Sequence, residues 1–270
     1  MKPATHKGNR EQKLRVKVLV MSVRFFAKAL TGALMLTALA ATASADGGDA
    51  TGPWTFNFAA TTDYRFRGIS QSDNDPALQG SVEYADPSGF FASAWASTID
   101  FSPFGDPDAS VEVDFTAGYR HDFSAETQGT IKVVYYWYPD SDPPPFVDDA
   151  DYVEIIAGLT HDFGELKVSG ELAYSPDYSG GTGNAFAITG GAAYPIVPTW
   201  WVFNKGLEAS AHLGHQSIDD AQDYAFWDLG VSAGVDNFTF DVRYVDTDVD
   251  ACIDVCDSGL VLTAAVAFGG

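Results

Sequence analysis

The chain has 270 residues, of which 37 are acidic and 15 are lysine or arginine, giving a formal net charge of −22. So acidic a chain is not a nucleic-acid binder, because that partner is itself a polyanion. Aromatic residues make up 14% of it, yet beyond the leader no run of about 18 apolar residues supplies a transmembrane helix.

At the N-terminus a basic stretch ending at Arg24 and Lys28 runs into the apolar "ALTGALMLTALAATASA". Ala43, Ser44 and Ala45 form the small-x-small pattern of a secretory cleavage site. Residues 1–45 therefore read as a signal peptide, with Met21 a candidate for the true initiator. The apolar core is too short for a membrane anchor. Removing the leader leaves 7 basic against 36 acidic residues, a net charge of about −29. No linker or shift in composition divides the rest, so residues 46–270 read as one domain.

Twelve segments then alternate with period two between Gly, Pro, Asp, Asn or Ser boundaries. They are 54–68, 77–85, 89–99, 110–121, 127–138, 152–161, 165–175, 184–194, 205–216, 224–235, 237–246 and 259–268. Most have about ten residues, the length of a tilted strand crossing a bilayer. The connections alternate as well. "ISQSDNDP", "DFSPFGDPD", "PDSDPPPFVDDAD" and "DTDVDACIDVCDS" are long and acidic, whereas "ADPS", "HDFG" and "VDN" are tight, and "PIVPTWWVFN" breaks the pattern. A hairpin barrel places alternate connections on opposite rims. The predicted fold is therefore all-β: an antiparallel up-and-down transmembrane β-barrel of about 12 strands, with its N-terminus in the periplasm.

Charges inside the segments test this reading. Asp63, Arg65 and Arg67 share one strand face, as do Glu112, Asp114 and Arg120, then Lys167 and Glu171, then Asp241 and Arg243. The opposite faces read Val111, Val113, Phe115, Ala117, Tyr119 and Phe238, Phe240, Val242, Tyr244. Lipid outside and water inside accounts for both. A soluble β-sandwich also alternates. Against it stand the signal peptide, the even number of similar strands, and aromatic residues at strand ends, as at Trp54, Phe66, Tyr119, Trp137, Tyr174 and Tyr244.

The strings "DYRFRGISQSDNDPALQGSVEY", "GFFASAWASTIDF", "YYWYP", "DYVEIIAGL", "YSPDY" and "YVDTD" followed by a cysteine pair resemble the TorF family of outer-membrane porins of Gram-negative bacteria. The resemblance covers essentially the whole mature chain. It implies a β-barrel in the cell outer membrane with a passive transport role. One departure is the ending, where Gly269 and Gly270 follow Phe268 in place of a terminal aromatic.

The predicted pore-lining residues are Asp63, Arg65, Arg67, Glu83, Glu112, Asp114, Arg120, Lys132, Glu154, Lys167, Glu171, Glu208, Asp228, Asp241 and Arg243. Opposed rows of both signs create a transverse field that favours small polar solutes, with a constriction around Arg65 and Arg67. The alternative is that the same groups form ion pairs that fill and brace the barrel and leave no pore.

At the acidic rim, Asp140, Asp142, Asp148, Asp149 and Asp151 would concentrate cations, but no Ca²⁺-loop spacing is present, so neither a metal site nor a cofactor is predicted. Cys252 and Cys256, the only cysteines, are expected to form a disulfide in an oxidising compartment. In "HLGHQS", His212 and His215 have opposite parity and Ser217 falls beyond the predicted strand, and no hydrolase motif occurs, so no enzyme activity is expected.

The expected function is thus a narrow outer-membrane channel for small hydrophilic solutes. Its expected partners are outer-membrane lipid, lipopolysaccharide and those solutes. The rival expectation is a non-conducting structural or surface-interaction barrel whose acidic loops bind divalent cations, lipopolysaccharide or a partner.

Overall fold

The computed structural model describes residues 52–143, 150–250, 252 and 254–269; the predicted signal peptide, Asp148 and Asp149 lie outside them. The elements in chain order are β1 (Trp54–Thr61), β2 (Arg65–Phe66), β3 (Ile69–Ser70), β4 (Ala77–Ala85), β5 (Phe90–Thr98), β6 (Val111–Asp122) and β7 (Thr127–Trp137). There follow β8 (Tyr152–Asp162), β9 (Lys167–Ser175), β10 (Ala185–Val197), β11 (Leu207–Ile218), β12 (Tyr224–Val235), β13 (Phe238–Thr247) and β14 (Gly259–Gly269). Twelve of these close into one antiparallel barrel, with β1 paired to both β4 and β14. Closure removes the unpaired edges that an open sheet of this size would present.

Alternation decides what faces where. Along β12, Trp227, Leu229 and Val231 are exposed on the outside, while Phe226, Asp228 and Ser232 point inward. Along β13, Phe238, Phe240, Val242 and Tyr244 face out, and Asp241 and Arg243 face in. Phe58, Leu78, Phe115, Ile131, Ile155, Leu172, Ile188, Leu213 and Leu262 continue the outward apolar belt around the barrel. No second layer of protein covers that belt in the described chain, which removes the β-sandwich reading.

One rim carries the connections 62–76, 99–110, 138–151, 176–184, 219–223 and 248–258, and the other carries 86–89, 123–126, 163–166, 198–206 and 236–237. The exceptional "TWWVFN" lies in the turn 198–206. Trp200 stacks on Phe203, whose ring in turn meets the outward-facing Phe240 edge-on, so the turn folds against the outer wall with Trp201 at its exposed tip.

The first predicted strand, 54–68, requires correction, because β1 stops at Thr61. Thr61 Oγ1 donates to the Asp63 carbonyl at 2.8 Å, and the chain turns inward. Consequently Phe66 is not an interfacial ring: it is buried with Tyr64, Tyr136, Tyr138, Tyr152, Ile156 and Tyr178 in a core inside the barrel, toward the long-loop rim.

Candidate functional site: a corked lumen

Within the inward segment, "RFRGIS" makes a miniature hairpin. β2 pairs with β3 across a two-residue turn whose Arg67 and Gly68 have φ of 44° and 90°, the combination that a type I′ turn requires. A Cβ on Gly68 would stand 2.9 Å from the Thr247 Cβ and 3.1 Å from the Phe226 Cβ, so the turn runs hard against β12 and β13. Arg67 occupies the left-handed region, which is uncommon for a residue with a side chain. The contacts at the tip hold it there.

Those contacts span the lumen. Arg67 donates to both oxygens of Glu154 on β8, at 2.9 and 3.1 Å, and to Gln216 Oε1 on β11 at 2.6 Å. Each side chain of this ion pair is 1% exposed. Tyr136 donates to Glu154 at 3.0 Å, its ring stacks on Tyr152 at 4.3 Å, and Tyr178 meets Tyr152 edge-on. Burial alone would lower the Arg67 pKa, but the Glu154 carboxylate, together with Tyr178 and Tyr136, outweighs it and holds the guanidinium above its ordinary value, fully charged.

On another wall, Glu112 of β6 accepts from Tyr64 at 2.8 Å and from Tyr138 at 2.9 Å. In the ring of twelve, β6 and β11 stand five places apart, almost opposite. A hairpin bonded to both lies inside the barrel.

The outer loops hold the hairpin from above. Ser70 N donates to Val255 O at 2.8 Å, Asp100 N to Gln71 O at 2.9 Å, and Arg65 to Asp257 O at 2.5 Å. Arg65 also pairs with Asp63, which accepts from Ser70 Oγ at 2.6 Å. Cys252 and Cys256 are disulfide-bonded in the same last loop, around Val255.

Below the hairpin most of the inward charges are paired along the wall. Arg243 is bonded to Asp228 and, at 3.1 Å, to Asp241, and it donates to Ser210 at 2.8 Å, while His212 Nδ1 lies 2.9 Å from Asp228. Lys132 stands 3.8 Å from Glu171, and Asp114 is buried with one oxygen lacking a hydrogen-bond partner. Nearer the short-turn rim Arg120 grips Glu83 in a bidentate pair at 2.7 and 2.8 Å and lies over the Phe91 ring. This pair is 36% and 30% exposed, so the interior passes from dry at the long-loop end to wet at the other. Glu208 is half-buried opposite Ser232, and Lys167 is exposed at the short-turn end of β9.

Among the residues predicted to line a pore, Asp63, Arg65 and Arg67 thus lie in a hairpin inside the barrel rather than on its wall. Sequence reasoning missed Tyr136, Tyr138, Tyr152 and Gln216, and weighed His212 only as a catalytic candidate. Parity could have found them, since Tyr136 shares a face with Lys132, Tyr152 with Glu154, and Gln216 and His212 with Glu208. Tyr178 lies in a connection, where parity says nothing, and for Tyr64 parity misled, setting it on the face opposite Arg65 within the segment read as 54–68. His215 points out of the barrel, away from His212, and Ser217 lies within β11 rather than beyond it.

A closed cylinder with an apolar exterior and a charged, hydrogen-bonded interior defines a porin-like β-barrel. Residues 46–266 match the model of a family described as a bacterial protein of unknown function (Gcw_chp), and the chain belongs to that family. No curated protein matches the sequence.

Among solved structures, the fold is similar to the KdgM porin, with a TM-score of 0.52 at 10% identity over 80% of this chain and 99% of that one. It is similar also to the KdgM porin in complex with disordered oligogalacturonate, at 0.53 and 8% over 80% and 99%. The NanC porin gives 0.52 and 12% over 80% and 100%. At such identities the likeness is one of fold.

Proposed function

We propose that the protein is an outer-membrane porin, a passive narrow channel for small hydrophilic solutes, and that its long-loop mouth is closed here by the hairpin of residues 62–76. The observation that carries this reading is the inner wall. Charges of both signs recur inward from β4 to β13, paired between adjacent or next-but-one strands, beneath an exterior built mainly of apolar side chains. An apolar exterior suits lipid, and opposed charges around a lumen suit polar solutes. Outer-membrane lipid and lipopolysaccharide are then the partners of the belt and the acidic rim.

The paired arginines also bear on the solute. One of the similar porins is described in complex with oligogalacturonate, a polyanion. Here Arg65, Arg67, Arg120 and Arg243 are each already bonded to carboxylates, which leaves no guanidinium to receive an anionic sugar. Neutral, zwitterionic or cationic solutes fit better.

A second reading, a non-conducting structural or surface-interaction barrel, draws on the depth at which Arg67 is buried. Reconstitution of folded protein into planar bilayers separates the two. Stepwise conductance is expected, with rare openings in the unmodified protein and frequent ones once residues 63–75 are replaced by a short Gly/Ser linker. A silent bilayer in both cases would establish the non-conducting barrel.

A further inference from the structure

The seat of Arg67 has the make-up of a ligand site whose occupant happens to be part of the chain. Glu154 presents both carboxylate oxygens to the fork of one guanidinium, and Gln216 adds a third acceptor. Such planar, bidentate pairing matches a guanidinium and cannot be reproduced by an ammonium, which is a point charge. Tyr136, Tyr152 and Tyr178 pack beside the pair through stacked and edge-on contacts.

These groups belong to the barrel wall or to another loop, not to the hairpin. Glu154 also accepts from Tyr136, a bond between two wall strands that does not involve the hairpin. Gln216 Nε2 and Arg67 Nε are buried without hydrogen-bond partners among the described residues, so the internal occupant leaves part of the seat unsatisfied. The hairpin also holds Arg67 at a positive φ, a cost that a free ligand does not carry. Asp73 and Asp75 in the hairpin segment, Asp100 and Asp108 in the next loop and Asp254 and Asp257 in the last put negative charge on the long-loop rim, which raises the local concentration of cations.

We propose that this seat is a guanidinium-binding site, and that a solute bearing a guanidinium group, entering from the long-loop rim, replaces Arg67 on Glu154 and Gln216 and so releases the hairpin. The release step rests on the channel reading above; the binding step does not.

The test uses ethylguanidinium and ethylammonium at equal millimolar concentrations. Arg67→Ala vacates the seat, and Arg67→Gly, which suits the positive φ of the turn, makes the same comparison should the alanine variant fail to fold. Ethylguanidinium should raise the melting midpoint of the folded variant and bind about tenfold more tightly than ethylammonium, the worth of one additional charge-assisted hydrogen bond. Adding Glu154→Gln should abolish that difference. In bilayers, ethylguanidinium should raise the open probability of the unmodified protein several-fold.

Equal responses to the two cations in the vacated seat would overturn the proposal. Selective binding with no conductance in any variant would uphold the site and overturn the channel. Conductance that ignores ethylguanidinium, without selective binding, would uphold the channel and overturn the site.

Discussion

Two arginine–carboxylate pairs with the same fork geometry have different energetic weight because of where they sit. Arg67 and Glu154 are both 1% exposed, whereas Arg120 and Glu83 are about a third exposed. Removing one partner of a buried pair strands a desolvated charge, so Glu154→Ala should destabilise the barrel by about 3–5 kcal/mol. At the wetter end water replaces the lost partner, and Glu83→Ala should cost less than about 1 kcal/mol. Denaturant unfolding in detergent micelles measures both; equal losses would contradict the gradient in hydration. The sequence marks all four residues as inward charges, but it carries no sign of burial, because alternation reports a side chain's direction and not what lies beyond it.

At the level of strands, legibility followed length and punctuation. The segment predicted at 224–235 coincides with β12, since Asp223 and Asp236 bound a run that alternates clearly from Trp227 to Ser232. β10 overruns its predicted end at Tyr194 as far as Val197, because Pro195 reads as a stop yet is accommodated by a shift in register between Pro195 and Val197. The first segment failed differently. Alternation continued through the turn into the hairpin, so period two alone could not show that the chain had left the wall. Its length and the Arg67-Gly68 pair were the available warnings. Where the wall was read correctly, its outward face can be tested: Leu229→Arg, midway along β12, should lower folding stability in bilayers by about 2–4 kcal/mol. An unaffected unfolding free energy would remove lipid from that face.

Taken whole, the molecule has an acidic mouth above an interior whose arginines are already paired. An open state should therefore prefer cations, with a reversal potential in a potassium chloride gradient lying toward that of potassium. The preference should weaken as salt rises from about 0.1 to 1 M, where the screening length falls from about 10 to 3 Å. Anion preference at low salt would mean that the paired arginines, rather than the rim aspartates, set the field.

The seam of the cylinder joins its earliest strand to its last, from Thr55 opposite Gly269 to Thr61 opposite Thr263. The hairpin follows directly on that earliest strand, yet it is fastened to β6, β8 and β11, far round the circumference. Only the closed cylinder brings those three strands around one segment, so the stopper's seat exists only when the seam is shut.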